Sequence, residues 1–189
     1  MNEERTDAAV APTVARLAES PEIADFSKQL DDIFFTSSAT KSFASDDERR
    51  AFRWRWLGRY LDADSDWFYV AVSGNRLVGY LAGAIDDPAQ SGRFKDIAYF
   101  TEISAETGKY PAHLHVNVVE GFRSGGVGSR LIERFVSDLR AANIRGVHLV
   151  TGRHSRNIPF YLKNGFVPVK NITCGASESI MLGRPLNRG

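Results

Sequence analysis

Several features that would settle the class of this chain at once are scarce or missing. Among 189 residues there is one cysteine, Cys174, so no disulfide can close within the chain, and a lone thiol fits a reducing compartment. The stretch Asn171 to Ala176 around it holds no histidine or basic side chain to lower its pKa, which argues against a covalent cysteine mechanism. No apolar run approaches the roughly 20 residues of a membrane span, and the opening segment MNEERTDAAVAPTVARLAES carries acids and lacks the apolar core of a signal peptide. Charge of one sign is missing too. Twenty-four Lys and Arg against 23 Asp and Glu leave a net charge of +1, which offers no electrostatic case for a nucleic-acid or membrane partner. There are no internal repeats or low-complexity blocks, no Walker A sequence and no Gly-x-Gly-x-x-Gly fingerprint. These absences leave a cytoplasmic globular protein as the expectation.

What is present fits that class. Hydrophobic residues make up 43% and charged residues 25%, enough for a core without staples. Residues 1 to 20 are polar and alanine-rich, and are expected to form a mobile tail ahead of a single domain over 21 to 189. Ile23, Phe26, Leu30, Ile33 and Phe34 recur at helical spacing over 22 to 36. Ser45-Asp46-Asp47-Glu48 has the form of a capping box, opening a helix through Leu61 with Phe52, Trp56 and Tyr60 on one stripe. Arg49, Arg50, Arg53, Arg55 and Arg59 cover much of the rest of that helix. They read first as a solvated face, and otherwise as a contact for an anionic acceptor or a protein. Trp54 lies off the stripe and is a candidate to line a cleft.

Residues 66 to 72 and 76 to 82 read as a hairpin around Ser73-Gly74-Asn75. A long connection over 85 to 111 follows, with a helical turn or two at most around Phe94 to Phe100; such loops are usually functional or mobile. A strand over 113 to 119 precedes a helix from Gly126 to Asn143, in which Val127, Leu131, Phe135 and Leu139 repeat every four residues. Further strands near 147 to 151, 166 to 170 and 178 to 182, with a helix near 155 to 164, make the class α/β, or α+β, with a mixed sheet.

The turn Arg123-Ser124-Gly125-Gly126-Val127-Gly128 sits between that apolar strand and that periodic helix. Glycines let the backbone approach a ligand, and the unpaired N–H groups of a helix start, with the positive end of the macrodipole behind them, make an anion site. A diphosphate fits this arrangement, and an ordinary tight turn is the plain alternative.

Arg123-x-x-Gly126-x-Gly128 resembles the Arg/Gln-x-x-Gly-x-Gly/Ala coenzyme A loop of the GCN5-related N-acetyltransferase (GNAT) superfamily. Downstream, Phe160-Tyr161-Leu162-Lys163-Asn164-Gly165-Phe166 is similar to that family's Phe/Leu-Tyr-x-x-x-Gly-Phe. The resemblance implies a GNAT-like mixed, mostly antiparallel central sheet with helices on both faces, splayed between strands 4 and 5, with the thioester arm of acetyl-CoA lying in the splay. It implies Val116, Asn117 and Val118 as contacts for the pantetheine and acetyl groups, and Arg123, Ser124, Gly125, Gly126, Val127, Gly128 and Ser129 as the diphosphate cradle. Tyr161 matches the family tyrosine near the coenzyme A sulfur and would protonate the departing thiolate. Many members have Asn seven residues before that tyrosine and Ala four before it; here His154 and Asn157 stand there. Asn157 is then a candidate for the pantetheine contact or a helix cap.

His113 and His115 are candidates for the general base, since alternate strand residues share a face and histidine titrates near neutral pH. A His-Leu-His on this strand is also similar to that of arylalkylamine N-acetyltransferases, although the interval to the loop is one residue longer there. The pair could instead face the other side or be core histidines, and Glu120, Glu102 or water are other bases. An i, i+2 histidine pair can bind zinc, but no third ligand stands at a recognisable spacing, so no metal is expected. The expected activity is acetyl-CoA-dependent transfer to a primary amine in a ternary complex, with a small-molecule acceptor favoured and a protein N-terminus or lysine as the alternative. A non-catalytic acyl-CoA-binding regulatory module is the alternative of another class. Expected partners are acetyl-CoA and an amine, with a homodimer compatible with the sequence. Phe35, Trp54, Tyr99, Phe100 and Tyr110 hint at a partly apolar acceptor cleft.

Overall fold

The computed structural model describes residues 10–174 and 177–186, and the side chain of Cys174 lies outside the described residues. In chain order the main elements are β1 (Thr13–Arg16), α1 (Phe26–Ser37), α2 (Asp46–Arg53), a π-helical turn (Trp54–Gly58), α3 (Arg59–Ala63), β2 (Phe68–Ser73) and β3 (Arg76–Ala84). They continue with α4 (Ala98–Glu102), α5 (Ser104–Thr107), β4 (Ala112–Val118), α6 (Val127–Ala141), β5 (Gly146–Gly152), α7 (Ile158–Lys163), β6 (Val167–Cys174) and β7 (Ser177–Pro185). The strands order as β1-β2-β3-β4-β5-β7-β6. β1 with β2, β5 with β7 and β6 with β7 are antiparallel, and β4 with β5 is parallel. This is the mixed α/β sheet, mostly antiparallel and accompanied by helices, that the sequence implied. No helix among the described residues is long and apolar enough to cross a membrane.

The chain divides into two compact units, one of residues up to Leu81 together with Val116–Leu131, the other of Ala82–His115 together with residues from Ile132 onward. In the first unit part of the stretch expected as a mobile tail is strand. Residues 1 to 9 lie outside the described residues, but Thr13–Arg16 pair with Val72 to Tyr69 as an edge strand. An edge strand of four residues is held by backbone hydrogen bonds to β2 and needs no strong apolar pattern, which is why composition did not show it. α1 buries Leu30, Ile33 and Phe34, three of the five periodic residues, and the side-chain oxygen of Gln29 accepts from the Leu77 N–H of β3 at 2.9 Å.

The Ser45 cap forms, with Glu48 reaching one residue further back than a strict capping box. Ser45 Oγ accepts from the Glu48 N–H at 3.2 Å, and Glu48 reaches back to the Ala44 N–H at 2.6 Å. The helix it opens does not stay α-helical. One π turn at Trp54–Gly58 advances the register, so Leu57 and Tyr60 are fully buried while Trp56 is only half-buried. The hairpin from β2 to β3 turns on Gly74 at φ 57.

In the second unit the connection over 85 to 111 is packed rather than loose. Phe94, Ile97, Phe100 and Ile103 are buried, α4 and α5 occupy part of it, and Lys170 of β6 ties it down by donating to the Glu102 carbonyl at 2.7 Å and pairing with Glu106 at 3.2 Å. α6 buries Phe135, Val136 and Leu139 and ends where the sequence suggested. Asn143 takes a left-handed φ of 59, its N–H donates to the Arg140 carbonyl, and the Ile144 N–H donates to the Leu139 carbonyl, a Schellman close. Arg184 of β7 binds Glu133 of α6 at 2.7 Å and the Asn164 carbonyl at 2.9 Å, joining strand to both helices.

Tyr110 lies against two strand glycines. A Cβ on Gly183 would stand 2.9 Å from its ring and 2.8 Å from Val169, and a Cβ on Gly146 would also collide with Tyr110 and the Lys109 carbonyl. Gly183→Ala should therefore cost about 1 to 3 kcal/mol of overpacking. Gly108→Ala, where a Cβ meets nothing within 4 Å, should stay within about 0.5 kcal/mol. Urea melts of the two variants check this; equal midpoints would show that the ring shifts away freely.

Candidate functional site

In the first unit, Val116, Asn117 and Val118 at the end of β4 are half-buried. The Asn117 side chain is committed: its Nδ2 donates to the Tyr80 hydroxyl at 2.7 Å, and the Tyr80 ring stacks on Phe68 at 5.6 Å. Among the candidates on this strand, Asn117 therefore offers a ligand its backbone first. The chain then passes a short 3-10 turn, Glu120–Phe122, and enters the glycine loop. Ser124 at φ 63 and Gly126 at φ 78 are left-handed on either side of Gly125. This alternation is the backbone form of anion-binding concavities.

α6 starts at once, and the first bond into it runs from the Arg130 N–H to the Gly126 carbonyl at 3.0 Å. The N–H groups of Val127, Gly128 and Ser129 thus have no acceptor within the helix, and its first turn holds no acidic residue to compete for them. Arg123 is exposed, with Nε donating to the Val118 carbonyl at 3.0 Å, which leaves the ends of its guanidinium for another partner. These groups fit a diphosphate.

In the second unit β4 and β5 share two residue pairs, Ala112↔Val147 and His113↔His148. His113 is buried, its ring 4.7 Å from Phe94, 5.4 Å from Phe100 and 5.6 Å from His148. Sequence reading passed over His148. It is fully buried, and its Nδ1 donates to the Tyr110 carbonyl at 2.5 Å. The available signal was a histidine inside an otherwise apolar strand, but only the pairing register puts it beside His113. His115 keeps part of its surface accessible. Burial, then the neighbouring His148, push its pKa down to about 4. Burial also pushes His148 to about 4 and holds His113 well below the ordinary histidine range, with His148, His115 and Arg93 adding to the effect on His113. All three rings are neutral at neutral pH.

Tyr161 is buried, with Phe160 and Phe166 edge-on at 5.1 and 5.9 Å. Burial pushes its pKa up, so the phenol stays protonated and able to donate, and no described residue takes its hydroxyl in a hydrogen bond. Asn157 stands at the N-cap of α7, but its side chain makes no cap bond; Oδ1 accepts from the Thr151 hydroxyl of β5 at 3.1 Å instead. His154 is exposed, 3.5 Å from Glu178. Glu102 and Glu120 are both exposed. The aromatic residues suggested for an acceptor cleft are placed unit by unit. Phe100 is core, Tyr110 packs on the strand glycines, and Trp54 is 52% exposed. The first unit thus collects the glycine loop and the end of β4, and the second collects the histidines, Tyr161 and Asn157.

Residues 29–166 match the model of the acetyltransferase (GNAT) family. Among solved structures, the chain is similar to an N-acetyltransferase from Staphylococcus aureus Mu50, at 12% identity and a TM-score of 0.62, covering 93% of this chain and 99% of that one. It is similar to the NatC complex bound to Gag peptide and CoA at 15% identity and 0.62, covering 94% and 100%. An agmatine N-acetyltransferase mutant in its apo form aligns at 12% identity and 0.63, covering 92% and 99%.

The buried histidines set an acid limit. In the unfolded chain these rings titrate near their ordinary 6.5, while in the fold His115 and His148 titrate near 4. Between those values the unfolded chain binds protons that the native state refuses, so the stability from neutral rings is full above about pH 6.5 and falls as pH drops toward 4. Asp87 faces His148 and Arg93 faces His113, and neither reverses the direction. Melting temperatures between pH 7 and 4.5 should fall, and His113→Leu should flatten that slope. An unchanged slope in the variant would count against this source of acid lability.

Proposed function

The chain belongs to the acetyltransferase (GNAT) family, with acetyl-CoA as acyl donor, and from that premise we propose that it acetylates a small-molecule primary amine by direct attack in a ternary complex. The observation that carries the reading is the turn from Ser124 to Ser129, whose left-handed residues lead into the unpaired N–H groups opening α6. Arg123 to Ser129 would hold the diphosphate, and the backbone of Val116, Asn117 and Val118 the pantetheine arm. Asn157 would add its amide, oriented by Thr151. Bound acetyl-CoA supplies an activated acyl group and a thiol leaving group.

The residues of the chain handle the protons. Tyr161, kept protonated by burial and with no hydrogen bond from its hydroxyl to a described residue, donates to the departing sulfur and regains its proton from solvent. His115 is neutral and can accept from the amine, but a ring titrating near 4 holds a proton poorly at neutral pH; in this reading it passes the proton on to solvent water. His113 and His148 lie behind it as a buried neutral support. A compact amine suits the apolar, largely buried surroundings of His115 and Tyr161 better than a charged protein segment. The related folds include one bound to a peptide and one that acts on agmatine, so the protein acceptor is the reading to test against. The single cysteine supports a reducing cytoplasm as the setting.

Gly125→Glu is the informative loop variant, because Gly125 is not left-handed and its Cβ meets only the Phe122 carbonyl at 3.5 Å. It should weaken acetyl-CoA binding by about tenfold or more through charge repulsion, read by calorimetry. Tyr161→Phe should lower kcat for the best amine in a screen by about tenfold or more while acetyl-CoA affinity stays within about twofold. Full turnover in that variant removes Tyr161 as the acid. Acetyl-CoA binding without turnover on amines or peptides would make the protein a regulatory acyl-CoA module.

A further inference from the structure

The arginine run of the second helix separates into two kinds. Arg50 is paired with Asp47, Arg53 binds Asp31 at 2.7 Å, and Arg55 and Arg59 have interactions of their own. Arg49 differs. Its guanidinium lies 3.7 Å from the centroid of the Phe35 ring, and no described residue accepts a hydrogen bond from it or pairs with its charge. Arg49 and Phe35 line an open cavity of about 680 Å³ between the end of α1 and the start of α2, together with Lys41, Ser42, Phe43 and Asp46.

The other polar groups of that cavity are largely committed. The Lys41 ammonium donates to the carbonyls of Thr36 at 2.7 Å and Phe35 at 3.4 Å, closing the end of α1, and Ser45 caps α2. The Phe35 and Phe43 rings stand edge to face at 5.9 Å and supply an apolar wall.

We propose that this cavity binds a small monocarboxylate carrying a flat apolar body. The Arg49 fork, held over the Phe35 ring, takes both carboxylate oxygens, and the body lies against Phe35 and Phe43. A guanidinium held over a ring has less freedom to lose on binding. Asp46, which also lines the cavity, opposes a phosphate dianion more strongly than a single carboxylate. The inference rests on the first unit alone and does not depend on the acetyl-transfer reading.

The test titrates the full chain, without acetyl-CoA, with phenylacetate, phenylacetamide and phenyl phosphate, following backbone amides by NMR. Phenylacetate should shift amides of residues 35–49 saturably, with the uncharged amide and the dianion about tenfold weaker or more. Arg49→Gln should bring phenylacetate down to the level of phenylacetamide. Arg49→Lys, which keeps the charge and loses the fork, should keep only a minor part of the preference. Arg49 is exposed, so unchanged melting temperatures are expected in both variants. Absent or equal binding of phenylacetate and phenylacetamide, shifts confined to other residues, or undiminished binding in Arg49→Gln would each overturn the proposal.

Discussion

Two residue pairs hold β4 to β5, and the chemistry available to the second unit follows from how short that ladder is. A strand leaving its neighbour exposes N–H and C=O groups that must find other partners. β5 can diverge without fraying because its other edge is paired to β7 over its whole length, from Gly146↔Pro185 to Gly152↔Ser179. The point of divergence is sealed by the His113 and His148 rings, with Phe94 and Phe100 packed on them from the connection over 85 to 111. Lys170 and Tyr110 hold that connection against the strands. The parallel pair stays short.

Burial then sets the proton chemistry. The same desolvation that lowers His115 and His148 raises Tyr161, and in each case the neutral form wins. A neutral phenol can donate and a neutral imidazole can accept, which is what the proposed transfer to an amine asks of them. The cost is that three rings must be kept from protonating, which ties the fold to neutral pH. The first unit supplies the opposite kind of group. Its loop presents unpaired backbone N–H groups at the start of α6, fixed in place by left-handed Ser124 and Gly126, and in the proposed reading those would hold charge without any titration.

Much of this architecture was legible in the order of residues. The stripe of α6 and its close at Asn143, the capping box at Ser45, the hairpin around Gly74 and the loop from Arg123 to Ser129 are local patterns, each set by spacings within a turn or two of backbone. The edge strand Thr13–Arg16 was not legible, because an edge pairing is decided by the backbone of a strand more than fifty residues away. The π turn at Trp54–Gly58 was missed because a periodicity reading assumes constant pitch; Tyr60 is buried as the stripe predicted, but Leu57 rather than Trp56 fills the core beside it.

By itself the sequence determined the family, through the glycine loop and the Tyr161 motif, since both are short segments whose chemistry lies in contiguous backbone. Only the tertiary structure decided which of the chemically capable side chains are committed. His148 stands beside His113 because of strand register, Asn117 turns to Tyr80 rather than outward, and Arg49 keeps its donors while Arg50 and Arg53 do not. The physical reason is the same in each case: charge, protonation and hydrogen-bond capacity depend on which distant groups pack against a residue, and nothing within a few positions along the chain carries that information.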